Sequence, residues 1–219
     1  MKIGLREKKI SQNKIKILNA FTLKILSGVK FGDISTKEIC NEIEISEATF
    51  YNYFPQKQDL LFFLINLWLL RIFAEVEMEN GPVSGIDYIK AFFSTVIGYM
   101  RDDHSVLLEA IQFVDPKSGK GPSSTISEYE LSLAFEEDYK EVLKFKDTNI
   151  NQMIFKHLKI AQQNGDVASG HDLGLATAAV LGVLVRGPIL SQGQFQGSSK
   201  EYIKFNLELV LNGLKMGIS

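Results

Sequence analysis

Apolar residues return along this chain at helical spacing almost everywhere. Ile17, Phe21, Ile25 and Leu26 fall on one face of a first helix predicted over about Gln12 to Ser27, which halts at Ser27-Gly28. Ser35-Thr-Lys-Glu38 is an S-x-x-E capping box, so a second helix starts there, carries Ile39 and Ile43, and ends around Glu44. Ser46 followed by Glu47 marks a fresh helix start, and Pro55 ends that helix because the residue before a proline is pushed out of the α region. The same periodicity predicts helices over Gln56 to Glu79, Ile86 to Met100, Asp103 to Phe113, Ser124 to Lys146, Thr148 to Asn164, His171 to Val185 and Ser199 to Met216. The fold class is therefore all-α.

Two short helices joined by a tight turn form a helix-turn-helix, whose second helix can enter the DNA major groove while the first braces it. The segment Phe50 to Phe54 places four aromatic rings in five positions. On a helix starting at Ser46, Phe50 and Phe54 lie four apart and face inward, while Thr49, Tyr51 and Tyr53 project hydroxyls outward. The rings divide into anchors and readers.

The stretch DISTKEICNEIEISEATFYNYFPQKQDLL, Asp33 to Leu61, resembles the DNA-binding region of the TetR family of bacterial transcriptional regulators, with its helix-turn-helix followed by T-[LIF]-Y-x-[YH]-F-x-x-K-x-x-L. Thr49, Phe50, Tyr51, Tyr53, Phe54, Lys57 and Leu60 fit that pattern in register. The resemblance implies a three-helix DNA-binding domain over 1–55 and a helical ligand-binding and dimerisation domain over 56–219. It implies base-reading roles for Glu47, Ala48 and Tyr51, contacts from Thr36 and Lys37, and phosphate clamps at Thr49, Tyr53 and Lys57, all chemically suited to those tasks. Asn52 has two open readings, an adenine contact or a solvated surface residue. The chain departs from the family where glycine is common, with Glu44 in the turn and Lys30 near the end of the first helix. A left-handed backbone at Glu44 would cost roughly 1 kcal/mol.

Charge sharpens this picture. The net charge of -2 conceals ten Lys/Arg against six Asp/Glu over residues 1–57, and fourteen against twenty over the rest. Lys2, Arg6, Lys8, Lys9, Lys14 and Lys16 face only Glu7 in the first sixteen residues, which reads either as an arm approaching an anionic polymer or as a solvated tail. Cys40 is the single cysteine and fits a small core position. The apolar runs Leu60 to Leu70 and Leu173 to Leu190 are too short, or broken by Arg186 and Gly187-Pro188, to span a bilayer, so a cytoplasmic protein without a membrane partner is expected.

Beyond the head, Gly174, Ala178 and Gly182 make a stripe of small residues, read either as a homodimer seam, as the family implies, or as close packing inside one subunit. A face with Tyr88, Phe92, Thr95 and Tyr99 reads either as core or, with Trp68, His104, Gln112 and Phe113, as the lining of a cavity for a largely apolar effector. The ligand-binding candidates are Trp68, Phe92, Tyr99, His104, Gln112 and Phe113. No cofactor is expected, because Asp115 to Ser124 lacks the glycine and the Ser/Thr of a phosphate-binding loop. His104, His157 and His171 form no nucleophile, metal or triad pattern, which disfavours an enzyme. The expected function is a DNA-binding regulator, a ligand-released repressor on a palindromic operator. A DNA-organising or interaction protein with the same head is the alternative.

Overall fold

Lys, Glu, Arg and Gln are good helix formers even without an apolar stripe, and they carry the first helix further back than apolar periodicity alone predicts. The computed structural model describes residues 3–100, 126–190 and 198–216, with the backbone alone for 185–190. In it α1 spans Leu5–Leu26. The basic N-terminal residues from Arg6 onward thus lie on a helix, not on an arm. α1 ends as its sequence predicts: Gly28 takes φ +88 and the Val29 N–H reaches back to the Lys24 carbonyl at 3.1 Å, a left-handed termination that glycine adopts without strain.

After a 3₁₀ turn at Phe31–Asp33 come α2 (Thr36–Glu42), α3 (Glu47–Tyr53), α4 (Lys57–Asn80) and α5 (Gly85–Tyr99). The helix expected over Asp103 to Phe113 lies outside the described residues. The single helix expected over Ser124 to Lys146 is instead α6 (Glu128–Phe135), a 3₁₀ turn at Glu136–Asp138 and α7 (Tyr139–Leu143). Glu136 breaks it with φ +42, and the run Glu136-Glu137-Asp138 sets three carboxylates at the negative end of the α6 dipole. α8 (Ile150–Asn164), α9 (Leu173–Leu190) and α10 (Ser199–Lys215) complete the chain. α9 runs on through Gly187-Pro188, where the sequence predicted a break. Among the described residues there is no strand, and no helix is long and apolar enough to cross a membrane.

The chain forms two compact units, Met1–Arg71 with Ser105–Lys146, and Ile72–His104 with Asp147–Ser219. In the first, α1 packs against α2, α3 and α6 around Ile17, Phe21, Phe31, Ile39, Phe50, Phe54 and Phe63, all buried. One ion pair is sealed into this core. Lys14 Nζ lies 2.6 Å from Glu130 Oε1, and their side chains are 14% and 4% exposed. The same ammonium sits 4.6 Å from the Phe63 ring centroid and 5.8 Å from that of Phe54. The second carboxylate oxygen of Glu130 accepts the Ser127 N–H at 2.8 Å, closing the capping box that starts α6.

In the second unit α5 packs on α8, α8 on α9 and α9 on α10, and Asn149–Gln152 and Ser198–Glu201 boxes open α8 and α10. Tyr88 and Phe92 are buried with Ile89 and Phe93, so the mixed face of α5 contributes to the core. Tyr88 stacks on His157 at a centroid distance of 3.7 Å and an interplanar angle of 2°. The Tyr88 hydroxyl and His157 Nδ1 are buried without a hydrogen-bond partner among the described residues. Burial, with a smaller contribution from the Lys156 charge, pushes the His157 imidazole from its ordinary 6.5 down to about 4. Burial, and then the Glu77 charge, pushes the Tyr88 phenol up.

Two measurements probe these cores. Breaking the sealed pair with Lys14→Met should cost about 3–5 kcal/mol in denaturant unfolding, whereas Lys14→Met with Glu130→Leu should recover much of that loss, because no lone charge remains buried. His157 has a folded pKa below its unfolded one, so its contribution is full above pH 6.5 and disappears as pH falls toward about 4. His157→Phe, which keeps the stack, should flatten the stability profile across that window.

Candidate nucleic-acid interface

Three backbone devices fix the helix-turn-helix. The Ser35 hydroxyl accepts the Glu38 N–H at 3.3 Å and starts α2. Only this half of the expected box forms, since the Glu38 carboxylate lies 3.7 Å from Lys24 Nζ instead. α2 then ends in a Schellman turn: the Ile45 N–H meets the Cys40 carbonyl at 2.9 Å, the Glu44 N–H meets Asn41 at 3.4 Å, and Glu44 itself takes φ +58. The left-handed residue is glutamate where the family often has glycine. Lys30, the other departure, is unstrained at φ -64, because Gly28 takes the left-handed role. Finally the Ser46 hydroxyl accepts the Thr49 N–H at 3.1 Å and lies 2.9 Å from the Thr49 hydroxyl, which starts α3.

α3 turns two rings inward. Phe50 and Phe54 are 0% and 1% exposed, with their centroids 5.8 Å apart. On the outer side Glu47, Ala48 and Asn52 are exposed, and Tyr51 is 44% exposed with its ring set edgewise on Phe50. The Tyr51 hydroxyl lies 3.4 Å from that of Thr36 on α2, and Lys37 is exposed beside it. The buried anchors Phe50 and Phe54 thus separate from the exposed side of α3 as the spacing of four predicts. Cys40 is buried in α2, and burial followed by the Glu47 charge pushes its thiol up.

Residues 23–63, from the last turns of α1 to the first turns of α4, match the family described as bacterial regulatory proteins, tetR family. Over this segment the chain is similar to the DNA-binding region of that family, which supports a DNA-binding transcriptional regulator. No curated protein matches the chain.

Within this head, two residues are held differently from a free phosphate clamp. The Lys57 ammonium donates to the Phe31 carbonyl and to that of Gly32 at 3.2 Å, and lies 4.5 Å from the Phe31 ring centroid. It closes the 3₁₀ loop. The Tyr53 hydroxyl accepts from Asn13 Nδ2 at 3.3 Å, which ties α3 to α1. Asn13 belongs to a stripe that sequence reading did not assign: Arg6, Lys9, Asn13 and Lys16 recur at three and four residues, one face of α1, and line a groove of about 1050 Å³. The opposite wall is formed by Ser46, Thr49, Asn52 and Tyr53. The spacing was visible in the sequence, but it signals a face only once the helix is known to begin at Leu5.

Three of the ligand-binding candidates fall among the described residues. Trp68 is half-buried in the first unit; in the second, Phe92 is fully buried with its ring 5.8 Å from Phe73, and Tyr99 is 40% exposed with its hydroxyl on the Glu75 carboxylate. His104, Gln112 and Phe113 lie outside the described residues, as does the linker Asp115 to Ser124.

Glu44→Gly should relieve the left-handed strain in the turn by about 1 kcal/mol. Thermal unfolding would register this as a midpoint higher by roughly 2–4 °C, with the turn hydrogen bonds unchanged.

Proposed function

We propose that this chain is a ligand-released repressor that binds a palindromic operator as a homodimer. The exposed face of α3, presented by the Ser46 cap and held by buried Phe50 and Phe54, carries the reading. In it Glu47, Ala48 and Tyr51 meet base edges, Thr49 and Tyr53 meet phosphates, Asn52 stands at the groove, and Thr36 and Lys37 add contacts from α2. Lys57 acts by fixing the loop before α2.

A single seven-residue helix reaches only a few base pairs, so two copies related by a two-fold axis are needed for a specific site. The stripe on α9 supports that partner. Gly174 and Ala178 are exposed, Gly182 has open space where a Cβ would stand, and Leu175 is 74% exposed beside them. The division of labour is a reading head over 1–55 and a regulatory region over 56–219. An effector bound by the aromatic residues of the latter would favour a conformation in which the two heads no longer match successive major grooves.

Selection of bound duplexes from a random pool tests this reading. The expected winners carry two inverted half-sites one or more helical turns apart, and Tyr51→Ala should weaken binding to them by roughly tenfold to a hundredfold, the loss of one base contact. Enrichment of a lone half-site, or of no sequence, would count against the palindrome and favour a DNA-organising role.

A further inference from the structure

We propose that the groove between α1 and α3 is a second phosphate-binding surface, which seats a stretch of operator backbone beside the bases that α3 reads. The inference rests on the DNA-binding reading and extends it to a helix outside the matched segment, since Arg6, Lys9 and Lys16 all precede residue 23.

The charges decide the occupant. Of the four cations lining the groove, Lys14 is neutralised by Glu130 at 2.6 Å. Arg6, Lys9 and Lys16 are exposed, and no carboxylate among the described residues pairs with them. Glu44 is the one carboxylate on the lining, so the groove keeps a positive excess. Its far wall presents Thr49, Asn52 and Tyr53, neutral donors of the kind that meet phosphate oxygens.

The geometry fits a strand better than a small ion. Arg6, Lys9 and Lys16 span ten residues of one helix face, about 15 Å at the helical rise, so the three cations form a line and not a cluster. Double-stranded DNA spaces the phosphates of each strand by about 3.4 Å along its axis, so a line of this length can address several of them in succession. The Asn13–Tyr53 hydrogen bond holds the two walls together, so the line keeps a fixed position relative to the reading helix. Such contacts are blind to sequence: they raise affinity and orient the head without changing which bases are chosen.

The test compares the full-length chain with Arg6→Gln/Lys9→Gln/Lys16→Gln, using fluorescence anisotropy on a short random-sequence duplex between about 50 and 200 mM salt. The expected result is a log-affinity against log-salt slope shallower by about 0.9 for each phosphate lost, up to about 2.7 in all, with the base preference recovered from a random pool unchanged. Replacing the same three residues by Arg6→Lys/Lys9→Arg/Lys16→Arg should restore the slope, and Lys200→Gln/Lys204→Gln/Lys215→Gln on α10 should leave it at the parental value. Circular dichroism checks that every variant is folded. A parental slope in the groove variant overturns the proposal, as does an equal fall in the α10 variant, which would make the effect one of net charge. If inorganic phosphate binds the parent but not the groove variant while their DNA slopes agree, the groove holds a free anion and the proposal also fails. A parent that binds no duplex at any salt would overturn the DNA-binding reading itself, an outcome distinct from the others.

Discussion

The first unit is organised around a charge largely withdrawn from water. Lys14 can be buried only because Glu130 meets it at 2.6 Å and the faces of Phe54 and Phe63 receive the rest of the ammonium. Each partner serves two elements at once. Lys14 belongs to α1 yet touches the ring that closes α3, and Glu130 holds Lys14 with one oxygen and the first amide of the α6 capping box with the other. The arrangement admits one register of α1 against α6, because a slip by a single residue would rotate the ammonium away from both the carboxylate and the rings. An apolar contact would tolerate such a slip more readily than an ion pair does.

Around this pair the head is assembled from local hydrogen bonds. Two serines start the two short helices, and two Schellman turns end α1 and α2. One of these uses glycine at the left-handed position and the other uses glutamate. The glutamate costs backbone energy, and the same residue is on the lining of the basic groove. The turn thus carries strain and negative charge at a single position next to the nucleic-acid face.

Much of the head was legible in sequence because its signals are short-range. A serine cap needs three residues, the inward spacing of Phe50 and Phe54 needs four, and a proline stop needs one. The less legible features depend on contacts between distant segments. The start of α1 was misplaced because its first turns carry no apolar stripe, although Ser11 is buried there. The hold of Lys57 on the loop was not legible because nothing in its neighbourhood announces the Phe31 and Gly32 carbonyls, 26 and 25 residues earlier. The break after α6 lay in a run of three carboxylates that helical periodicity ignores, and Gly187-Pro188 failed to stop α9 although local propensity says it should.

α3 has seven residues, about two turns, far below the length at which a helix persists alone in water. Its shape is lent to it by Phe50 and Phe54 in the core below and by the Ser46 hydroxyl at its start. The surface proposed to read DNA therefore has no folding transition of its own. Its amides are protected from solvent exchange only while the unit beneath them stays closed. For this head, the proposed recognition is linked to stability, because only the folded unit presents the outer face of α3.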